Sequence, residues 1–255
     1  MTVIEADRPD LPTHGRMLRA QARRHADRVF AVIDDDSVTY GRFVEQAEVL
    51  ARSLIARGVR RGEHIGILMP NCLEFLQVYY AAQLAGVVAT PINARYKSSE
   101  LAHVVGFSDI RILFTTDRIE AHVDFAELLL EALPSLAAAA RPGALNPEEA
   151  PRLDSVVMFG DTRRPAFESA DAFLAAGRNL DQDELNLRVE EGGADDIALM
   201  LFTSGTTARP KACRISHRNL FQTWVIAYPQ VVSLEAGQAI WCPLPCFHIG
   251  GVGLA

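Results

Sequence analysis

Between Arg42 and Gly58 the apolar residues Phe43, Ala47, Leu50, Ala51, Leu54 and Ile55 recur at steps of three and four, with arginine and glutamate among the residues between them. That spacing lays one apolar stripe along a helix, and Gly58 stands where a helix C-terminus favours a residue free to turn left-handed. The next run, His64-Ile-Gly-Ile-Leu-Met-Pro70, is short, apolar and closed by proline, which reads as a strand. Asn71 followed three places later by Glu74 has the form of a capped helix start and predicts a helix to about Gly86. Val87 to Ile92 and Arg111 to Thr116 repeat the buried-strand pattern, Ser99 to Phe107 predicts a short helix, and Glu120 to Leu133 a further one.

Strands that are continuous apolar runs, alternating with amphipathic helices, predict an α/β fold whose mainly parallel sheet is covered on both faces, because parallel neighbours need crossover connections. Residues 134–152, rich in alanine, proline and acid, read as a mobile surface loop. Asp154 to Phe159 resumes a strand pattern and Ala170 to Ala176 a short helix. The polar stretch Asp181 to Asp196 leads into a last apolar run, Ile197 to Phe202, and Ala212 to Ile215 is expected to form the following strand. The chain shows no internal repeat.

Composition narrows the partners. Of 255 residues 49% are hydrophobic and 22% charged, and 25 Lys plus Arg against 32 Asp plus Glu give a net charge of −7. A core is within reach, and a mildly acidic balance argues against nucleic acid as partner, so any anion site must be local. Four cysteines make no disulfide framework, and the first residues carry no basic and apolar leader, so the expected compartment is cytoplasmic. Gln77 to Ala94 comes nearest to a membrane span but is broken by Gly86 and Pro91, so no integral membrane segment is expected.

The candidate chemistry sits in Thr203-Ser-Gly-Thr-Thr-Ala-Arg-Pro-Lys211, directly after the apolar run. A tight turn after a buried strand can aim backbone N–H groups at one point, unobstructed at Gly205, while Thr203, Ser204, Thr206 and Thr207 add hydroxyls and Lys211 a movable charge. The loop is not of the Walker type, since Pro210 rather than glycine precedes Lys211 and Ala212 rather than Ser or Thr follows it. On these grounds a polyphosphate-binding loop and a plain strand-connecting turn both stand open.

The segment Leu201 to Leu220 resembles the phosphate-loop motif of the adenylate-forming (AMP-binding) superfamily, which comprises acyl- and aryl-CoA synthetases, peptide-synthetase adenylation domains and luciferases. Further blocks resemble the same family in the same order: Val38-Thr-Tyr40, Gly62 to Asn71 with Glu74-Phe75, Ala85-Gly86 with Thr90-Pro-Ile-Asn93, and Pro243-Leu-Pro-Cys-Phe-His-Ile-Gly250. The resemblance, nearest to the acyl-CoA synthetase or fatty-acid-CoA ligase type, implies layered, mainly parallel sheets flanked by helices, as in the family's large N-terminal domain, with residues 197–216 as a strand-loop-strand phosphate-binding segment. It implies ATP, Mg2+ and coenzyme A as cofactors and a small carboxylic acid, fatty or aryl, as substrate. Thr203, Ser204, Gly205, Thr206, Thr207 and Lys211 would surround the β- and γ-phosphates, and Lys211 and His248 would be the catalytic pair. Gly250 and Gly251 would leave room for the substrate.

Two departures from the family pattern bear on these expectations. Ala208 and Ala212 stand where the family usually has glycine; at Ala208 an alanine forced to positive φ costs on the order of 1 kcal/mol. The family also continues past Ala255 to further motifs and a small C-terminal domain, so residues 1–255 are expected to be a truncated N-terminal AMP-binding domain, prone to self-association or to docking with a missing C-terminal portion. Two function classes follow: an ATP-dependent acyl-CoA ligase whose activity truncation limits, or a catalytically inactive remnant that binds nucleotide or a partner chain. Cys242, Cys246 and His248 lie among apolar residues without a fourth ligand, which argues against zinc. His217, after the expected cap Ser216, reads as first-turn surface; His103 and His122 read as residues of amphipathic helices; and the pairs Glu148-Glu149, Glu190-Glu191 and Asp195-Asp196 read as solvated faces.

Overall fold

A computed structural model describes residues 11–138, 142–203, 210–228 and 237–253. Helix α1 (His14–His25) is followed by a hairpin of β1 (Val29–Ile33) and β2 (Asp36–Thr39), then by α2 (Tyr40–Ala56), β3 (His64–Leu68), α3 (Leu73–Ala85), β4 (Val88–Pro91), α4 (Ser98–Phe107), β5 (Ile110–Thr116) and α5 (Phe125–Ala132). A short 3-10 helix (Pro134–Ala138) leads to β6 (Ser155–Phe159), β7 (Phe167–Ser169), α6 (Ala170–Gly177), α7 (Gln182–Glu191), β8 (Ile197–Thr203) and β9 (Lys211–Ser216). The chain then forms α8 (His217–Leu220), a π-helical stretch (Phe221–Ala227) and α9 (Ile249–Val252).

Seven strands make one sheet in the order β7-β6-β5-β3-β4-β8-β9, parallel throughout except for the antiparallel pair β8 and β9. Both faces are covered, as the apolar runs require. Ile65, Ile67, Ile112 and Phe114 point into a core shared with α2, α3 and α7, while Leu68, Leu113 and Val156 pack against α4 and α5. Helix α3 lies between α2 and the sheet and is buried almost all round, from Phe75 to Ala85. Its near-continuous apolar sequence is thus that of an interior helix, each of its large side chains worth about 1.5–3 kcal/mol of burial. Among the described residues no helix is long and apolar enough to cross a membrane. Gly86 closes α3 at φ 68°, with its N–H donated to Ala82 O, and reverses the chain into β4.

Several expectations need correction. Asn71 does not cap α3: the N-cap position belongs to Cys72, which makes no side-chain capping bond. Helix α5 begins at Phe125, because Asp124 caps it by accepting from Glu127 N at 2.9 Å, and His122 lies in the preceding turn rather than on a helix. Asp181 caps α7, a helix that the polar stretch before β8 had hidden, since only Leu185 and Val189 are buried on it. Within residues 134–152, expected as a mobile loop, Leu136, Leu145 and Ala150 are buried; Leu145 N and Asn146 N donate to Asp154 O and Leu153 O, and Ser135 Oγ bonds the Glu149 carboxylate. The described part of that segment is anchored to the sheet's second core.

Candidate functional site

In a mainly parallel sheet the carboxyl ends of the strands open onto one edge, and loops leaving that edge are where ligands are met. β8 reaches it at Thr203, and β9 leaves it at Lys211, the two residues standing opposite each other in the ladder. Thr203 Oγ1 donates to Lys211 O at 3.5 Å, and both side chains are exposed at the edge. The loop between them holds Ser204, Gly205, Thr206, Thr207 and Ala208, which lie outside the described residues. Ala212 pairs with Phe202 inside β9, so its methyl is accommodated in the ladder. Helix α4 braces this end of the sheet: His103 Nε2 lies 3.3 Å from Pro210 O, and Phe107 meets Phe202 edge-on at 6.1 Å. His103, expected as an ordinary residue of an amphipathic helix, thus also touches the segment that leads into β9.

The second half of the candidate site hangs from β3, two strands from β8 and so roughly 10 Å away along the sheet edge. There Asn71 reaches across to residues 244–246, its Oδ1 accepting from Cys246 N at 2.7 Å and its Nδ2 donating to Leu244 O at 3.1 Å. The turn that follows presents His248, whose backbone N donates to Pro245 O at 2.9 Å. His248 is the N-cap of α9, with Nδ1 accepting from Gly250 N at 3.2 Å. Because Nδ1 is used as an acceptor, the neutral ring carries its proton on Nε2, the nitrogen left for a ligand. The side chain is exposed.

The glycines beside His248 serve a different purpose from the one expected. A Cβ on Gly250 would come within 2.5 Å of Leu244 Cδ1, and one on Gly251 would collide with Pro245 O. Their missing side chains are filled by the chain's own turn, not by space for a substrate.

Cys246 and Cys72 are buried near this junction, and burial pushes both thiols up to about 12. A thiol held in that state is no nucleophile at neutral pH. Beside them Arg118 bridges Glu74 Oε1 at 2.8 Å and Asp36 Oδ2 at 3.1 Å, tying the β1-β2 hairpin to the start of α3. A cleft of about 290 Å³ between α1, α2 and α7 is lined by Arg19, Arg23, Glu48 and Gln182, with none of the described candidate residues on its walls.

His217, expected on the surface, is buried to 3% exposure. Its Nδ1 accepts from His14 N at 3.2 Å and lies 2.9 Å from His14 Nδ1, which must then be the donor. Phe221 closes the cluster, 4.7 Å from the His14 ring. Burial, with the neighbouring His217, lowers His14 to about 3; burial, with Arg61, lowers His217 to about 4. Ser216 caps α8 as expected, with Oγ accepting from Asn219 N at 3.2 Å. One of the acidic pairs, Asp195-Asp196, is exposed as expected but ion-paired, since Arg218 clasps Asp195 and Arg61 holds Asp196 at 2.7 Å.

The model of the family described as AMP-binding enzyme matches residues 18–255, a span that includes both halves of this edge. The chain belongs to that family. It is 29% identical over 244 residues to the acyl-CoA ligase sidI of Aspergillus fumigatus, covering 95% of this chain and 40% of that protein. Its fold matches a protein described as a long-chain-fatty-acid CoA ligase of Rhodopseudomonas palustris (TM-score 0.75, 23% identity, 95% of this chain and 53% of that one). It also matches the anthranilate CoA ligase AuaEII solved with anthranoyl-AMP (TM-score 0.69, 21% identity, 87% and 38%). The mainly parallel sheet flanked by helices is therefore the one that adenylate-forming enzymes share. This family member spans about two fifths of the curated relatives it matches, 40% of one and 43% of another.

Proposed function

We propose that this chain carries the triphosphate-gripping and acid-activating elements of an AMP-forming acyl-CoA ligase. The observation that supports this most is the family match, which runs unbroken through the β8-β9 segment and the His248 turn. In this reading an oxygen of a fatty or aryl carboxylate attacks the α-phosphorus of ATP, the bond to the bridging oxygen breaks, and pyrophosphate leaves. The sulfur of coenzyme A then attacks the acyl carbon, AMP departs, and the thiol proton passes to solvent. No protein nucleophile is required; the protein's contribution is alignment and neutralisation of charge.

Thr203, Ser204, Thr206 and Thr207, with the backbone of Gly205, would donate to the β- and γ-phosphates, and Lys211 would offset their charge as pyrophosphate forms. Mg2+ is a hard cation that suits the phosphate oxygens and the hydroxyl oxygens of this loop, and bound there it neutralises the triphosphate. His248, through Nε2–H, would meet the acyl carboxylate and steer it toward the α-phosphorus. Ile240 and Leu244 are exposed to 46% and 41%, and Trp241 to 85%, which fits a surface that takes up further polypeptide or a second copy.

ATP–pyrophosphate exchange with a panel of fatty and aryl acids tests the reading. Acid-dependent exchange is expected, and Lys211→Ala should lower it by about 100- to 1,000-fold, the cost of removing one preorganised donor to developing charge. Exchange that survives both Lys211→Ala and His248→Ala would remove the site assignment. Micromolar nucleotide binding without exchange would select the second reading, a non-catalytic nucleotide binder.

A further inference from the structure

We infer that Asn71 is the positioning residue for the His248 turn, an inference that rests on the role given to His248 above. Nothing in the sequence separated Asn71 from an ordinary helix cap. In the structure its side chain serves the neighbouring segment instead, and both of its polar atoms are used. Oδ1 takes the N–H of Cys246 at 2.7 Å while Nδ2 gives a proton to Leu244 O at 3.1 Å. One target is a donor and the other an acceptor, so only a primary amide satisfies both; an aspartate would set an anionic oxygen against a carbonyl.

The same segment also meets the turn beyond His248: residues 244–246 are held by Asn71 and packed against Gly250 and Gly251, whose missing Cβ atoms admit Leu244 and Pro245 O. Pro245 O then fixes His248 N at 2.9 Å, and His248 caps α9 through Nδ1. Asn71 lies just past the end of β3, a central strand whose neighbours on both sides are parallel, so the imidazole is referenced to the centre of the sheet through two side-chain hydrogen bonds. Displacing a positioned group by about 1 Å costs up to about a hundredfold in rate. Asn71 therefore acts through His248 and does not itself touch substrate.

The test combines a structural and a functional readout on the full chain. Cys246 is buried at 8% exposure and its amide is the atom that Asn71 holds, so its thiol reports on the clip. Asn71→Ala should speed iodoacetamide labelling of Cys246, followed by mass spectrometry, by roughly tenfold or more, the scale of two lost hydrogen bonds. Cys72 labelling should stay slow. Should Asn71→Ala prove too unstable to assay, Gly251→Ala, whose added Cβ would meet Pro245 O and Cys246 N, must reproduce the Cys246 labelling. In ATP–pyrophosphate exchange, Asn71→Ala should cost roughly tenfold in kcat with His248 present and nothing further in a His248→Ala background. Unchanged Cys246 labelling overturns the inference, as does an Asn71 effect of equal size with and without His248. If exchange proves indifferent to His248→Ala, the reading of His248 falls and the labelling alone decides for or against the clip.

Discussion

His217 and His248 stand at the same kind of place, each at the N-terminal end of a four-residue helix, and their surroundings are opposite. His217 is covered by α1, whose His14 gives it both a backbone and a ring hydrogen bond, and both rings are held neutral by burial. His248 caps its own helix and stays exposed at the edge where the parallel strands end. A helix start is a local cue and says nothing about what lies across it. The role proposed for His248 and the burial of His217 differ through tertiary cover, and mutations should separate the two.

The widest separation is expected between activity and folding. His248→Ala should lower ATP–pyrophosphate exchange by about 100-fold, while the thermal midpoint moves little, because an exposed side chain with one local cap bond is removed. Equal losses of exchange and stability would break the contrast. His217→Ala should do the reverse. It leaves a cavity and deprives His14 of its acceptor, a loss of about 3 kcal/mol in urea unfolding, while exchange per folded molecule stays the same. A surface-like cost below about 0.5 kcal/mol would show that the buried pair contributes nothing.

Acid should act on the buried pair of histidines. Both buried rings have folded-state values below 6.5, so the unfolded chain binds more protons than the folded one as the pH falls from about 6.5 toward 4. Stability is therefore full above pH ~6.5 and declines through that window. Between pH 6.5 and 5 the decline should be about 2 kcal/mol for each histidine, measured as the shift in unfolding free energy. His217→Asn should flatten the slope by about one proton.

How much of this was legible beforehand depends on the distance over which each feature is determined. The helix Tyr40–Ala56, the strands β3, β4, β5 and β6 and the β8-β9 unit were readable because apolar period and a closing glycine or proline are written within a dozen residues. Helices α1 and α7 escaped, since each buries only a narrow stripe, Leu18 and Ala22 or Leu185 and Val189, in an otherwise polar run. Lys211 was singled out by its hydroxyl-rich loop but given its role only by likeness to a family, and His248 was named by that likeness alone, because in isolation a loop histidine carries no signal. Asn71 and His103 were missed as site neighbours: one mimics a helix cap, the other an ordinary helix residue, and their partners lie 175 and 107 positions away. A polar side chain's partner across such a span is fixed by strand order, which no local pattern records.

The smallest of the expected effects bears on the same pair of helices through their caps. Ser216 accepts from Asn219 N at the start of α8, and Asn219 Oδ1 returns the bond to Ser216 N at 3.1 Å, so the helix opens with a reciprocal pair. That helix is locked under α1 by His217, so its cap is coupled to global unfolding, and Ser216→Ala should cost about 1 kcal/mol in the urea midpoint. At α9 the cap is His248 itself, whose ring is exposed and bonds only its own helix, so loss of its bond to Gly250 should appear as faster hydrogen exchange at residues 250–252 with no change in that midpoint. A global loss from both caps would mean that the His248 turn unfolds with the core, and the division between a stabilising and a functional histidine would no longer hold.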